Sequence, residues 1–304
     1  MNIGMVGLGR MGGNMARRLA RGGVRVLAFD RDESARSALG NVPGITVVSS
    51  LVEVAAKLPV PRVIWTMLPA GKPSADTFAA LAGSLARGDA LVDGANAYYR
   101  DSMQHASSLA ASGIDFVDAG VSGGVWGLEQ GYALMFGGTR DAIARIAPYA
   151  RILAPAADRG WLHCGPSGAG HYAKMIHNGI EYGLMQAYAE GFALLEAKRE
   201  FAFDVAALAE AWRHGSVVRS WLLDLTARFL ANDATLQSVA PYVADSGEGR
   251  WTAHEAIDLG VAAPVIQIAL AMRFASQGHG DYAAKLLAKM REAFGGHALK
   301  ETET

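Results

Sequence analysis

Residues 2–30 read NIGMVGLGRMGGNMARRLARGGVRVLAFD, and this stretch decides the fold. A short apolar run at 2–6 ends in Gly7-Leu8-Gly9-Arg10-Met11-Gly12. A helical pattern follows over Met15–Ala20 and stops at Gly22-Gly23. A second apolar run, 24–29, ends in Asp30, 18 residues past Gly12. The order is strand, G-x-G-x-x-G, helix, strand, acid. Its glycines permit a tight turn and close approach of a pyrophosphate to a helix N-terminus. A bare G-x-G-x-x-G is weak, and glycines can serve a turn alone. The flanking elements and the acid make a dinucleotide site the stronger reading.

Gly7, Leu8, Gly9, Arg10, Met11 and Gly12 are therefore expected to cradle the phosphates. Asp30 is expected to accept hydrogen bonds from the adenine ribose. A 2′-phosphate would meet like charge there, so NAD is favoured over NADP. NADP remains open because the adjacent Arg31 can stack on adenine or pair with a phosphate.

Outward from this unit the alternation continues. Strand patterns fall at 45–48, 62–68, 90–93, 115–117 and 132–136, with helical runs at 50–58, 73–86, 100–111 and 140–153. That predicts an α/β chain opening with a Rossmann-type doubly wound sheet. Ligands of such sheets sit beyond the carboxyl ends of strands. Met67, Leu68, Pro69 and Asn96 are expected beside the cofactor; Ser122, Gly123 and Gly124 stand at a further strand end, where Ser122, like Asn96, supplies a neutral hydrogen-bonding group and the glycine pair leaves backbone amides open. Each can also be read as an ordinary turn residue.

From Gly168 onward no strand pattern occurs. One long helix is expected over 168–198, then helices near 204–213, 216–231, 233–243, 252–259, 263–277 and 280–293. The division is thus an NAD-binding domain over 1–164 and an all-α domain over 165–304, for substrate and oligomerisation. The segment 261–272 is apolar nearly all round, which suits a core or a subunit interface.

Composition excludes several classes. The 304 residues are 51% hydrophobic with a formal net charge of −1, so no basic field invites nucleic acid. One cysteine, Cys164, excludes an internal disulfide and a multi-cysteine zinc site. Cys164, His171 and His177 lack the partners a metal needs, so no metal is expected. No basic leader with an apolar core opens the chain, and no long uncharged apolar run occurs. The expected compartment is the cytoplasm.

The helix GAGHYAKMIHNGIEYGLMQ, 168–186, carries the chemistry. Lys174, His177, Asn178, Glu181 and Tyr182 fall within an arc of roughly 140°. An amine, an imidazole, an amide, a carboxylate and a phenol suit proton transfer and hydroxyl binding; a solvated face is the plain alternative. His171 reads equally as a cofactor neighbour or a packing residue.

DAGVSGGVWGLEQGYALMFGG (118–138), this helix, DGANAYYRDS (93–102), DSGEGRWT (245–252) and the tail from Arg291 to His297 resemble the 6-phosphogluconate dehydrogenases, within the β-hydroxyacid dehydrogenase superfamily. The resemblance spans nearly the whole chain and is to the short bacterial form. It implies Lys174 as general base and later acid, and Glu181 as the acid protonating the product carbon. It implies that Asn96, Ser122, Gly123, Gly124, His177 and Asn178 hold the carboxylate and hydroxyl end. Tyr182, Arg273 and Arg291 would grip the phosphate. Arg291 and His297 would enter a neighbour's site, which implies a homodimer or homotetramer acting on a phosphorylated sugar acid.

One departure bears on the phosphate. Where longer relatives carry Lys and Thr, the shortened segment 245–251 of this chain has no counterpart of the Lys, and Glu248 stands near the Thr position. A carboxylate there is unfavourable unless it points away or pairs with Arg250. Oxidative decarboxylation needs two proton-transfer groups, and a plain hydroxyacid dehydrogenation needs one, so Glu181 discriminates the two readings. The alternative is a non-decarboxylating enzyme acting on a smaller or unphosphorylated acid.

Overall fold

Alternating side-chain direction along each strand explains the architecture. In the computed structural model, which describes residues 1–295 and 298–300, the first half runs β1 (Asn2–Val6), α1 (Arg10–Arg21), β2 (Arg25–Phe29), α2 (Glu33–Ser37), β3 (Ile45–Val47), α3 (Leu51–Lys57), β4 (Val63–Thr66), α4 (Lys72–Ala82), β5 (Ala90–Asp93), α5 (Tyr99–Ala110), β6 (Asp115–Ser122), α6 (Gly127–Gln130), β7 (Ala133–Gly137), α7 (Arg140–Leu153) and β8 (Trp161–Gly165). Met5, Trp65, Val92 and Val117 belong to one core layer; their chain neighbours Val6, Ile64, Leu91 and Phe116 belong to the other. β4 and β5 are buried at every residue, as central strands covered on both faces must be.

The eight strands order as β3-β2-β1-β4-β5-β6-β7-β8. Pairing is parallel except between β6 and β7. The order reverses between β1 and β4, which opens the crevice where such sheets bind ligands.

β6 reaches Ser122, past the expected end at 117, because β7 pairs antiparallel along it. β8 was not foreseen: WLHCG lacks a clean alternation, yet it pairs parallel with β7. α2 is too short to leave a periodic signal; Asp32 caps it by accepting from Ser34 N–H at 2.8 Å.

The chain divides into two units, Met1–Ile176 and one beginning at His177, so the division falls inside α8 (Ala169–Ala197). The second unit continues with α9 (Val205–Trp212), α10 (Trp221–Asn232), α11 (Glu248–Asp258), α12 (Pro264–Ser276) and α13 (Asp281–Gly295). Ala209, Leu223, Ala227 and Leu230 form one small core there, and Tyr182, Ala269 and Leu270 another.

The expected helix over 233–243 is absent. Asp233 instead accepts from the Thr235 and Leu236 N–H groups at 3.1 and 3.0 Å, and Leu236 takes a φ of 51°, so local turn bonding prevails. α10 starts at Trp221, not 216, because the extended Ser220 caps it through Leu223 N–H. α11 starts four residues before the expected 252, at Glu248. On α12, Ala269 and Leu270 are buried, whereas Val265, Ile268 and Met272 are exposed in the single chain. Among the described residues no helix is long and apolar enough to cross a membrane.

Candidate active site

Two different constraints build the glycine turn. Gly7 sits at φ +89°, and a Cβ there would meet the Met67 carbonyl oxygen. A Cβ at Gly12 would run into the Gly7 carbonyl, so only glycine lets α1 approach β1. Gly9 has neither problem: nothing lies within 4 Å of its ideal Cβ, and it precedes α1 with no side-chain cap. Gly9 thus leaves room before the N-terminus of α1, the positive end of a helix dipole, and no side chain caps it. A cavity of about 270 Å³ adjoins this N-terminus, lined in part by Leu8, Gly9, Arg10, Asn14 and Arg17. A dinucleotide pyrophosphate fits this cradle.

Asp30 directly follows β2 and braces the same turn. Its Oδ2 accepts from Leu8 N–H at 2.6 Å and its Oδ1 from Asp32 N–H at 2.9 Å. Each carboxylate oxygen keeps a further lone pair. Arg31 is exposed beside it. Arg36, which the sequence reading passed over, donates to the Asp30 carbonyl at 2.7 Å and shapes this corner. Met11 is half-buried on α1.

Beyond β4, Met67 N–H donates to the Val6 carbonyl at 2.8 Å, which holds Met67, Leu68 and Pro69 beside the glycine turn. Beyond β5, Asp93 accepts from Ala95 N–H at 3.0 Å and shapes the turn that leaves Asn96 exposed. Burial pushes the Asp93 carboxyl up from its ordinary pKa. Ser122 ends β6, and Gly123 and Gly124 follow at φ 134° and 53°. Lys174 crosses this strand: a Cβ on Gly120 would come within 2.5 Å of the Lys174 Cβ. The first unit therefore lays Lys174 of α8 against Gly120, two residues before Ser122 on β6.

The second unit carries the remaining groups. His177 Nδ1 lies 3.1 Å from Asn178 Oδ1 and 3.9 Å from the Glu181 carboxylate. Asn178 and Tyr182 are buried while Ile180, Leu184 and Met185 are exposed. The polar arc of α8 is therefore only partly buried, since the His177 and Glu181 side chains remain 40% and 42% exposed. Arg273 stacks on the Tyr182 ring, 3.4 Å from its centroid, and donates to the Ala244 carbonyl at 2.9 Å.

Glu248 is buried at 4% exposure. It accepts from Ser246 at 2.8 Å and, at a long 3.4 Å, from the Tyr182 hydroxyl. Arg250 pairs with Asp245 instead. Burial pushes the Asp245 carboxyl up, but Arg250 and the Gly247 N–H bring it below its ordinary pKa. Arg291 lies exposed on α13, and His297 lies outside the described residues. No cluster of three or more His, Cys, Asp or Glu side chains suited to a metal occurs among the described residues.

The NAD binding domain of 6-phosphogluconate dehydrogenase matches residues 2–163, and the C-terminal domain of the same enzyme matches residues 170–301. The NAD(+)-dependent, decarboxylating 6-phosphogluconate dehydrogenase of Haloferax volcanii is 38% identical over 300 residues, covering 98% of each chain. An NADP(+)-dependent, decarboxylating relative from Bacillus subtilis is 34% identical over 286 residues, which are 90% of this chain and 61% of that longer one. Among solved structures, the Plasmodium falciparum 6-phosphogluconate dehydrogenase superposes with a TM-score of 0.83 at 24% identity. The match covers 100% of this chain and 67% of that one, and it speaks for the fold. The glycine turn braced by Asp30, the lysine laid across β6, and both matching domains lead to one assignment: the chain belongs to the 6-phosphogluconate dehydrogenase family.

Proposed function

We propose that the protein oxidises and decarboxylates 6-phosphogluconate to ribulose 5-phosphate and CO2, with NAD as the preferred acceptor. The observation that carries this reading is the pair Lys174 and Glu181, seven residues apart on the continuous helix α8. Seven residues are close to two turns, so both project from one side.

NAD is held by the Gly7–Gly12 turn and Asp30, and when bound it supplies the hydride acceptor. Asp30 supports NAD because a 2′-phosphate there would meet its carboxylate. The Lys174 amine takes the proton of the β-hydroxyl as that carbon is oxidised. The Lys174 ammonium then protonates the resulting carbonyl oxygen while the bond to the carboxylate breaks and CO2 leaves. The enediol that remains receives a proton on carbon from Glu181 while the Lys174 amine takes back the proton of the enediol oxygen, which leaves the ketone. Asn96, Ser122, Gly123, Gly124, His177 and Asn178 hold the carboxylate and hydroxyl end. Tyr182, Arg273 and Arg291 take the phosphate, and Arg291 and His297 reach a neighbouring subunit's site. The exposed apolar residues Val265, Ile268 and Met272 of α12 support such an assembly.

A second reading is favoured by Glu248, which lies against Tyr182 where a phosphate is proposed. It is dehydrogenation of an unphosphorylated acid without loss of CO2. Incubation with NAD and 6-phosphogluconate, following NADH absorbance and released CO2 together, tests both. Equimolar NADH and CO2 is the expected outcome. NADH without CO2, or turnover confined to unphosphorylated acids, overturns the first reading.

A further inference from the structure

The carboxylate of Asp118 is fully buried in β6, at 0% exposure, and the chemistry above does not use it. Its Oδ1 accepts from Gly168 N–H at 2.6 Å and its Oδ2 from His171 N–H at 2.8 Å. Both donors belong to the first turn of α8 and the residue before it, where N–H groups have no intrahelical partner. A carboxylate taking two such bonds caps the helix and complements its dipole.

The packing around this cap admits no slack. A Cβ on Gly137 would come 2.6 Å from Asp118 Oδ2, and one on Gly170 would come 2.5 Å from the Asp118 carbonyl oxygen. Two residues along β6, Gly120 lies under the Lys174 side chain. Two further on is Ser122. A second tie enters from α5: Ser102 Oγ lies 2.7 Å from His171 Nδ1, and both side chains are buried. α5 itself leaves the turn that carries Asn96.

We propose that Asp118 is a positioning residue for Lys174, fixing the register of α8 on β6 so that the amine is held over the Gly120–Ser122 end of the strand. A carboxylate is required because two N–H groups must be accepted by two separate oxygens. The amide of Asn offers one oxygen and turns a donor toward the other N–H. Loss of one bond lets the first turn of α8 shift on β6, and displacement of a catalytic group by a fraction of an ångström slows chemistry far more than it weakens binding. This inference rests on the assignment of Lys174 to proton transfer.

The test is Asp118→Asn, assayed in the full-length protein beside Lys174→Ala. The expected result for Asp118→Asn is a fall in kcat of at least tenfold, with the dissociation constant for NAD within about twofold of the parent. The deuterium isotope effect on kcat should also rise, for substrate labelled at the carbon that loses hydride. A cap that served stability alone would lower the melting temperature and leave kcat and the isotope effect unchanged well below it. Gly120→Ala gives the same readout while keeping the Asp118 carboxylate, since its methyl group meets the Lys174 Cβ and the Gly170 carbonyl oxygen and so displaces α8 on β6; it keeps the proposal testable if Asp118→Asn does not fold. Parental kcat in a folded Asp118→Asn, or in Gly120→Ala if only that variant folds, overturns the inference. Turnover retained by Lys174→Ala overturns the assignment of Lys174 itself, which is a separable failure.

Discussion

Asp30 Oδ2 accepts the Leu8 backbone N–H at 2.6 Å, tying the end of β2 to the glycine turn that follows β1. The residue proposed to select the cofactor is therefore also a brace for the turn that holds it. Asp30→Ser and Asp30→Asn separate the two roles. Asn retains an acceptor for Leu8 and removes the charge, so relative use of NADP should rise at least tenfold with NAD turnover largely kept. Ser shortens the side chain, so both cofactors should bind less well. Steady-state kinetics with each cofactor check this, and a native preference for NADP would sink the reading of Asp30.

Gly9 and Gly12 should respond differently to alanine. A methyl at Gly12 collides with the Gly7 carbonyl, so Gly12→Ala should destabilise the fold by about 1–3 kcal/mol through overpacking. A methyl at Gly9 enters open space, so Gly9→Ala should leave the melting temperature nearly unchanged and weaken NAD binding. Thermal unfolding and fluorescence titration with NADH distinguish them. Equal melting temperatures for the two variants would contradict this division.

Lys174→Ala should abolish NADH formation. Glu181→Gln should slow turnover strongly while NAD affinity stays within about twofold. A Glu181→Gln enzyme that makes CO2 at the parental rate has no need of the carboxylate.

Glu248→Gln should lower KM for 6-phosphogluconate several-fold. The change is close to isosteric, keeps an acceptor for Ser246 and removes a negative charge from beside Tyr182. Turnover should change less than KM. An unchanged or raised KM would mean that the phosphate does not lie near Tyr182.

Arg62 and Asp89 form a pair in the first unit with side chains 18% and 1% exposed, 2.7 Å apart. Burial pushes the Asp89 carboxyl up, but the Arg62 and Ala86 N–H groups and the Arg62 guanidinium outweigh it, so its pKa is lowered. A lowered folded pKa means that the unfolded chain binds the proton first. The stabilisation is thus complete above the ordinary Asp pKa and is lost as pH falls through the folded value. Arg62→Ala should cost about 3–5 kcal/mol at neutral pH by leaving a buried carboxylate without its cation. Denaturant unfolding at neutral and acid pH should show that difference shrinking as the solution is acidified. A difference that holds constant with pH would assign the loss to packing.

The dinucleotide half was legible because its signals are local. Gly7, Gly9 and Gly12 stand at fixed spacing, and Asp30 closes a strand whose period is visible in five residues. The helix α8 was equally legible, because its polar arc follows from helical geometry alone. The missed elements lack such signals. β8 exists because β7 offers an edge, and the loop at 233–247 exists because Asp233 bonds its own following backbone. Glu248 read as an anomaly of position, and only its burial against Ser246 and Tyr182 says where its charge is held.

Chain order thus determined on its own that a nucleotide turn precedes an acid, and that an amine, an imidazole and a carboxylate share one helix face. Both follow from periodicities of a few residues. Tertiary structure alone decided that Asp118, 50 residues before Gly168 in the chain, caps that helix, and that Gly120 lies beneath Lys174. Contacts between distant segments depend on sheet pairing and on which backbones can approach without a Cβ between them, and no short-range pattern encodes that.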